Sequence, residues 1–167
     1  FVISKDALFE AELTDKELSF EVIAYDQTGN VSSHTFADDC VMVIETAPPE
    51  IKVTFDYLNH ITTVTDAIVN KDATVYSKDN VTADITISGD YFDPYCDTAR
   101  SKATVEVVIT EKISEKTQKV EFAKEKNLWT ATVELADEGE YVISVNATSQ
   151  AGNNAEYTTG TAVVDKT

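Results

Sequence analysis

The chain has little glycine, proline, cysteine or histidine, and each shortage excludes a class of site. Its 167 residues include five glycines, three prolines, two cysteines and two histidines. No glycine-rich loop cradles a phosphate, and no Gly-x-Ser-x-Gly motif marks a hydrolase nucleophile. His34 and His60 have no partner at zinc-ligand spacing, and Ser33 and His34 would point to opposite faces of a strand. We therefore expect no enzymatic activity, no metal and no cofactor.

Basic residues are also scarce, and long apolar runs are absent. Lysine and arginine number 13 against 30 aspartates and glutamates, which gives a net charge of −17. Such a surface repels phosphate backbones and anionic lipid, so nucleic acid and membrane surfaces are disfavoured as partners. No apolar run approaches the ~18 residues of a transmembrane helix. Hydrophobic residues nevertheless make up 43% of the chain, which is enough for a packed core.

What the chain does contain is an internal repeat. Residues 8–13 align with residues 128–133, and residues 27–30 align with residues 150–153, which lie 123 positions later. The apolar positions between these segments also correspond, Leu18, Phe20, Val22 and Ala24 to Tyr141, Ile143, Val145 and Ala147. Each copy thus combines an alternating strand with a Gly-Asn turn. A fixed period indicates an array of similar modules, and such modules more often space or display other domains than catalyse.

Alternation of apolar and polar residues predicts strands almost throughout. The strongest segments are residues 51–57, 81–87, 105–109, 129–135 and 141–147. Shorter strands are predicted at residues 74–76, 119–122 and 157–164, and a helical turn is expected only within residues 90–100. Abundant valine and threonine favour strand over helix. About seven short strands predict an all-β fold of the immunoglobulin-like β-sandwich type.

The prolines mark a module boundary at residues 46–49. Residues 1–47 match only the second half of the repeat, whose full copy occupies residues 48–167. The prediction is therefore one complete immunoglobulin-like module at 48–167, preceded by the C-terminal strands of an incomplete one at 1–47. Three or four strands cannot close a two-layer core, so we expect this chain to be a piece of a longer polypeptide. The alternative is that residues 1–47 pair onto the second module as extra strands.

Several motifs resemble those of tandem bacterial immunoglobulin-like domains. Residues 45–51, Glu-Thr-Ala-Pro-Pro-Glu-Ile, resemble the acidic-Thr-x-Pro linker that opens such domains. Residues 81–87 and 91–94 are similar to the family's second strand and its Phe-Asp-Pro turn, and residues 138–153 are similar to its closing hairpin. The resemblance implies an extracellular location, secreted or on the cell surface, in a multi-domain bacterial protein. It also implies neighbouring modules of the same kind as partners.

Three residues are predicted to organise the core. Tyr141 follows an acidic turn at the start of its strand, where a tyrosine corner ties a sandwich's end loop to a strand. Ile143 stands where antibody domains place a cysteine, so apolar packing would replace a disulfide there. Trp129 lies in the inward set of its strand and is the largest candidate core residue.

The cysteines, Cys40 and Cys96, are expected to remain unpaired. Cys40 lies early in the first module's last strand, and Cys96 lies in a loop of the second module. A disulfide would need their Cα atoms within ~7 Å of each other. A disulfide nevertheless remains the alternative, because an even cysteine count in a secreted protein permits one.

One acidic group raises the question of Ca²⁺. Its members at the predicted module boundary are Asp15, Glu17, Glu45, Asp90, Asp93 and Asp97. Carboxylates from both sides of the linker would suit Ca²⁺ and stiffen the joint. A solvated acidic rim is the favoured interpretation for so acidic a chain.

Two functions follow. The first is a structural spacer of a bacterial surface or secreted protein that positions or displays other domains. The alternative is an adhesion module that binds a glycan or host protein through loops at one end of the sandwich. In that case Tyr91, Phe92 and Tyr95 would be its exposed aromatic residues.

Overall fold

A computed structural model of the chain describes residues 5–35, 42–56, 74–90, 92, 103–112 and 118–167. These residues form α1 (Lys5–Glu10), β1 (Glu17–Leu18), β2 (Glu21–Tyr25), β3 (Val31–Thr35), β4 (Met42–Val43), β5 (Glu50–Asp56), β6 (Thr74–Ser77), β7 (Val81–Ser88), β8 (Thr104–Glu111), β9 (Ala123–Glu125), β10 (Leu128–Leu135), β11 (Gly139–Thr148), β12 (Asn154–Thr158) and β13 (Thr161–Val164). The fold is all-β, as the alternation predicts. Within this part of the chain, no helix is long and apolar enough to cross a membrane.

Residues from 50 onward form two large sheets. The first has the order β5-β7-β10-β9, and every neighbouring pair is antiparallel. In the second sheet β11 lies at the centre, with β8 on one edge and β12 and β13 in succession on the other. The short β6 pairs in parallel with β13.

The two sheets share one apolar core. On β7 the buried side chains are Val81, Ala83, Ile85 and Ile87, and the residues between them are more exposed. The buried alternate residues of β10 and β11 belong to the same cluster. Asp84 lies on the wet face of β7, as expected, and accepts a hydrogen bond of 2.7 Å from the Thr132 hydroxyl. Sheets with one buried and one wet face account for the period-2 pattern.

The three predicted core residues lie where the sequence places them. The Tyr141 hydroxyl donates a hydrogen bond of 2.9 Å to the carbonyl oxygen of Asp137, which is the tyrosine-corner contact. Ile143 is buried, and Trp129 is 6% exposed. Apolar packing therefore fills the centre at the position of Ile143.

The first segment of the chain forms two small ribbons. β1 pairs with β4, and β2 pairs with β3, each pair antiparallel. All ten residues of β2 and β3 are exposed. Among the described residues, neither ribbon joins the two large sheets.

The prediction of a strand at residues 8–13 is wrong. Residues 5–10 form α1, and the amide of Leu13 donates to the carbonyl of Leu8 at 3.0 Å. The matching strand, β10, is held between β7 and β9, whereas no described strand pairs with residues 8–13. Without a partner strand, local preference decides, and Lys-Asp-Ala-Leu-Phe-Glu contains strong helix formers with Asp6 in the first turn.

Two edge strands differ from their predicted bounds. The strand expected at residues 119–122 lies instead at β9, because pairing with β10 starts at the Lys126-Asn127 turn and extends only to Ala123. The last strand is split into β12 and β13 at Thr159. The Thr159 amide donates to the carbonyl of Ile143 at 2.9 Å, and its hydroxyl accepts from the Ile143 amide at 3.0 Å. That side-chain contact replaces a ladder bond and interrupts the strand.

Candidate functional site at the linker

The loops of two hairpins have the same backbone hydrogen bonds. In the loop between β2 and β3, the Asp26 amide donates to the Asn30 carbonyl at 3.0 Å. In the loop between β11 and β12, the Ser149 amide donates to the Asn153 carbonyl at 2.8 Å. Each residue of the first loop lies 123 positions before its counterpart, so the sequence repeat corresponds to a repeat of local structure.

A glycine is required at the same place in both loops. Gly29 has φ of +89° and Gly152 has φ of +88°. A Cβ atom at either glycine would meet no neighbour within 4 Å. The left-handed backbone, rather than a close approach, therefore selects glycine.

Strand register is also the same in the two hairpins. The paired residues are Val22–His34 and Ala24–Ser32 in the first, and Val145–Tyr157 and Ala147–Ala155 in the second. The segment β2–β3 thus repeats the second half of β11 together with β12.

The side chains of the two loops have different partners. In the first loop, Asp26 accepts bonds from the Thr28 hydroxyl at 2.7 Å and from the Asn30 side chain at 2.7 Å. These bonds, the Thr28 hydroxyl foremost, lower the pKa of Asp26 to about 2. Ser149 takes the place of Asp26 in the second loop, and its hydroxyl donates to the carboxylate of Glu45. The polar groups of the second loop are therefore directed to the linker.

Four residues form a contact that we call the linker clasp: Glu45, Ala47, Ser149 and Asn153. Besides the bond from Ser149 to Glu45, the Asn153 side chain donates to the Glu45 carbonyl at 3.0 Å and to the Ala47 carbonyl at 3.3 Å. Ser149 is buried. Pro49, just beyond the clasp, is buried as well. The linker thus lies against the module that follows it.

The other side of the linker is held by a carboxylate latch, in which Asp15 binds Thr46. Asp15 accepts from the Thr46 amide at 2.7 Å and from the Thr46 hydroxyl. These two bonds, the hydroxyl first, hold the pKa of Asp15 below its usual value. In the second copy, the amide of Lys166 donates to Glu138 at 2.9 Å. Glu138 stands 123 positions after Asp15, so both copies end with the same kind of latch.

Together, the clasp and the latch fix the linker on both sides. Thr46 is bound to the strands before it, and its neighbours Glu45 and Ala47 are bound to the loop after it. Sequence reasoning located the linker and the Gly-Asn turn but missed the clasp. The available signal was the pair of polar residues Ser149 and Asn153 bracketing the turn.

The predicted acidic group does not assemble into a described cation site. Asp93 and Asp97 lie outside the described residues, and the carboxylates of Asp15 and Glu45 accept hydrogen bonds from protein donors. Within the described ranges, no three histidine, cysteine, aspartate or glutamate side chains come together to hold a metal ion.

The predicted aromatic platform is wrong at Phe92, which is 0% exposed. Its ring packs edge-to-face on Trp129, with ring centroids 5.1 Å apart, because an apolar ring gains more in the core than in water. Lys124 covers the indole, with Nζ 4.0 Å from the ring centroid. Tyr91 and Tyr95 lie outside the described residues, as do Cys40 and Cys96, so the prediction of unpaired thiols stays a prediction.

The outer face of the second sheet has a shallow groove of about 200 Å³. Its lining residues are Glu106, Val108, Ser144, Val145, Asn146, Glu156, Tyr157 and Thr158. Several of its polar groups bond to each other, for example the hydroxyls of Ser144 and Thr158 at 3.2 Å. Sequence reasoning missed the groove because polar residues alternating along a strand are typical of an ordinary solvated face.

Comparison with known proteins gives one distant likeness. No protein-family model matches the chain, and no curated protein matches its sequence. The sialic-acid-binding region of a Streptococcus sanguinis SK1 adhesin, solved bound to 3'sLn, is similar at 14% identity with a TM-score of 0.31. The match covers 96% of this chain and spans 41% of that one. At so low a TM-score, the fold and function of this chain are argued from its own residues.

Proposed function

We propose that the chain is a non-enzymatic spacer of a bacterial surface or secreted multi-domain protein, in which successive immunoglobulin-like modules are joined at a fixed orientation. The observation that carries this proposal is the linker clasp. A flexible tether needs no specific contacts, whereas Ser149 and Asn153 bind three acceptors on Glu45 and Ala47. The extracellular location rests on the resemblance of residues 45–51 to a linker between such domains.

Strand order supports the immunoglobulin-like assignment. Constant-type immunoglobulin domains have sheets of order A-B-E-D and C-F-G. The order β5-β7-β10-β9 corresponds to the first, and β8-β11 followed by β12 and β13 corresponds to the second. The Tyr141 hydroxyl bond to Asp137 supports the same assignment.

The repeated hairpin supports the division into residues 1–47 and residues 48–167. β2–β3 shares its register, its loop bonds and its left-handed glycine with β11–β12. β1–β4 has a counterpart in the pairing of β11 with β13. Residues 1–47 are accordingly the closing strands of a first module.

The proposal of a non-enzymatic role is supported by the described polar residues. Ser33 and His34 are adjacent on β3 and so point to opposite faces. Hydroxyls of the second sheet's outer face are engaged in cross-strand pairs such as Thr148 with Asn154 at 2.9 Å. Neither arrangement provides an activated nucleophile.

Nuclear spin relaxation tests whether the joint is fixed. Amide ¹⁵N relaxation gives separate rotational correlation times for residues 15–35 and residues 118–167. We expect one common correlation time in the unmodified chain. In the double variant Ser149→Ala/Asn153→Asp, which removes both clasp donors, residues 15–35 should tumble faster. The control is Ser144→Ala, whose hydroxyl pairs across the groove. Independent tumbling in the unmodified chain would overturn the spacer proposal.

A second candidate function is glycan binding in the outer-face groove. Its hydroxyl, amide and carboxylate groups beside Tyr157 are donors and acceptors that suit sugar hydroxyls. Since Glu106 and Glu156 line it and the chain carries −17, a neutral oligosaccharide suits it better than an acidic one. Saturation-transfer NMR with neutral oligosaccharides, compared between the unmodified chain and Asn146→Ala, tests this function. Equal transfer to both proteins would rule out the groove.

A further inference from the structure

The β2–β3 ribbon exposes residues whose counterparts in the second copy are buried. Val22 is 55% exposed, whereas Val145, at the corresponding position, is 2% exposed. Ala24 is exposed and Ala147 is buried. Because the two hairpins share one register, the difference comes from what covers them and not from their own conformation.

One covering element of the second copy is β8. It pairs antiparallel with the edge of β11 that β12 leaves free, and Val107 lies opposite Val145, with Val105 opposite Ala147. Among the described residues, no strand lies on the corresponding edge of β2. That edge presents unpaired backbone groups, which form a template for another strand.

Hydrogen-bond alternation shows which residues of β2 face the open edge. Hydrogen-bonded pairs alternate with non-bonded pairs along an antiparallel ladder. The Asp26 amide is bonded to Asn30, so Ala24 and Val22 direct their backbone groups to β3. Ile23, between them, directs its amide and carbonyl to the open edge.

The same rule holds for β11 in the second copy. Lys112, at the end of β8, donates its amide to the Glu140 carbonyl at 2.9 Å, so even-numbered residues of β11 face β8. Asn146, the counterpart of Ile23, is one of them. The two edges therefore present their donors and acceptors at equivalent positions.

We propose that the open edge of β2 is a docking site for an extended polypeptide strand with the pattern of β8. The strand would run antiparallel, with an apolar residue such as Val107 opposite Val22 and one such as Val105 opposite Ala24. This proposal deepens the spacer function, because it rests on the equivalence of β2–β3 with the closing hairpin of the second module. Main-chain bonds would provide affinity, and the alternate apolar side chains would provide register.

The ribbon favours this occupant over other chemistry. Val22, Ile23 and Tyr25 are exposed apolar residues on a short edge, and an extended strand covers such residues while pairing their backbone. A chain with net charge −17 does not attract nucleic acid or anionic lipid to this edge. A second copy of β2 pairing with itself is the competing occupant that the test separates.

The test uses a fluorescein-labelled peptide with the sequence of residues 103–112, Ala-Thr-Val-Glu-Val-Val-Ile-Thr-Glu-Lys. Its binding to the full chain is followed by fluorescence anisotropy. A second peptide carries an N-methyl group at Glu106, whose amide would face β2, and a third carries it at Val107, whose amide would point away. We expect the Glu106-methylated peptide to bind at least about tenfold more weakly than the other two, since it loses a bond and adds a clash.

Two variants of the chain locate the peptide. Ile23→Pro removes an amide from the open edge and should abolish binding, whereas Ser33→Pro removes an amide from the far edge of β3 and should preserve it. No binding, equal binding of all three peptides, or binding that Ile23→Pro leaves unchanged would overturn the proposal. A concentration-dependent dimer in sedimentation that Ile23→Pro abolishes would assign the edge to a second copy instead. The relaxation experiment on the joint is independent of all these outcomes, so failure here leaves the spacer function standing.

Discussion

The hydroxyl of Ser149 donates a hydrogen bond to the carboxylate of Glu45, a residue 104 positions earlier in the chain. The donor is buried in a hairpin loop, and the acceptor belongs to the linker before the module. Asn153, at the other end of the same loop, binds the linker backbone at 3.0 and 3.3 Å. A loop that closes one hairpin therefore also fixes the approach of the preceding segment.

Replacing Ser149 tests the energy of this contact. Ser149→Ala should lower the free energy of unfolding by about 1.5 kcal/mol, the low end for a bond to a charged acceptor, because Glu45 is only half-buried. Urea denaturation followed by Trp129 fluorescence measures the change. Ser144→Ala is the matched control, since its hydroxyl bond to Thr158 is exposed, and it should cost less than about 0.5 kcal/mol. Equal effects of the two variants would contradict the assigned role of Ser149.

Trp129 provides the largest predicted effect on stability. Its indole packs against Phe92 and Phe122, with centroids at 5.1 and 6.3 Å. Trp129→Ala should therefore cost about 3–5 kcal/mol, the range for truncating a buried aromatic residue. Chemical denaturation followed by far-UV circular dichroism measures it.

An exposed aromatic residue supplies the control for Trp129. Tyr76 is 67% exposed on β6, and Tyr76→Ala should change stability by no more than about 0.5 kcal/mol. A cost under about 1 kcal/mol for Trp129→Ala would place the indole at the surface and restore a ligand-stacking role.

Sequence alternation predicted the strands that are buried on one face. β7 and β10 follow the predicted segments closely, because each has a run of alternate apolar residues that must all face one core. The tyrosine corner was predictable for a similar reason, since Tyr141 follows a turn at a strand start. Edge elements were less predictable, because their bounds depend on a single partner, as β9 depends on β10.

The linker clasp and α1 were not predictable from local pattern. The clasp joins residues 104 to 108 positions apart through serine and asparagine, which are common in any turn. Residues 8–13 share the apolar spacing of β10, yet an amphipathic segment becomes a strand only where a neighbour completes its ladder. Alternation predicts which side chains can be buried together, and pairing partners decide the rest.

Alkaline pH should destabilise the chain through Tyr141. Burial, followed by the nearby carboxylates of Asp137 and Glu111, raises the pKa of Tyr141 above the ordinary value of about 10. The neutral phenol is thus favoured in the folded state, so its contribution is complete below pH 10 and is lost as the pH rises through the folded pKa.

The variant Tyr141→Phe isolates this contribution. Loss of the bond to the Asp137 carbonyl should cost about 0.5–1.5 kcal/mol at pH 8. Above pH 10 the gap between the two proteins should narrow, because only the unmodified chain ionises at this position. Urea denaturation at pH 8, 10 and 11 measures the gap, and a constant gap across the series would show that Tyr141 does not titrate with unfolding.

Cys40 and Cys96 are predicted to remain unpaired thiols. Cys40 lies before the linker and Cys96 in a later loop, and a disulfide would need their Cα atoms within ~7 Å. Mass spectrometry of the alkylated, non-reduced protein should find both cysteines modified. Detection of a cross-linked Cys40–Cys96 peptide would show the prediction to be wrong.

The second module should fold without the first segment. Both large sheets are built from β5 to β13, all within residues 50–164, and the core cluster draws its members from the same range. Residues 1–47 contribute the clasp acceptors, Glu45 and Ala47, but no member of that cluster. A fragment of residues 48–167 should therefore lose stability only by the clasp, roughly 1–3 kcal/mol, and should still unfold cooperatively.

Limited proteolysis of the full chain provides an independent measurement of the same division. Residues of β2 and β3 are exposed on all sides, so their opening costs little free energy, and cleavage should begin there. The resistant product should begin near the linker, because Pro48 and the buried Pro49 hinder cleavage and lead directly into β5. If the 48–167 fragment were molten, with no cooperative transition and no resistant core, the first segment would belong to the same folding unit. The two ribbons would then be extra strands of one domain, and the joint at Glu45 would have no module on its far side to position.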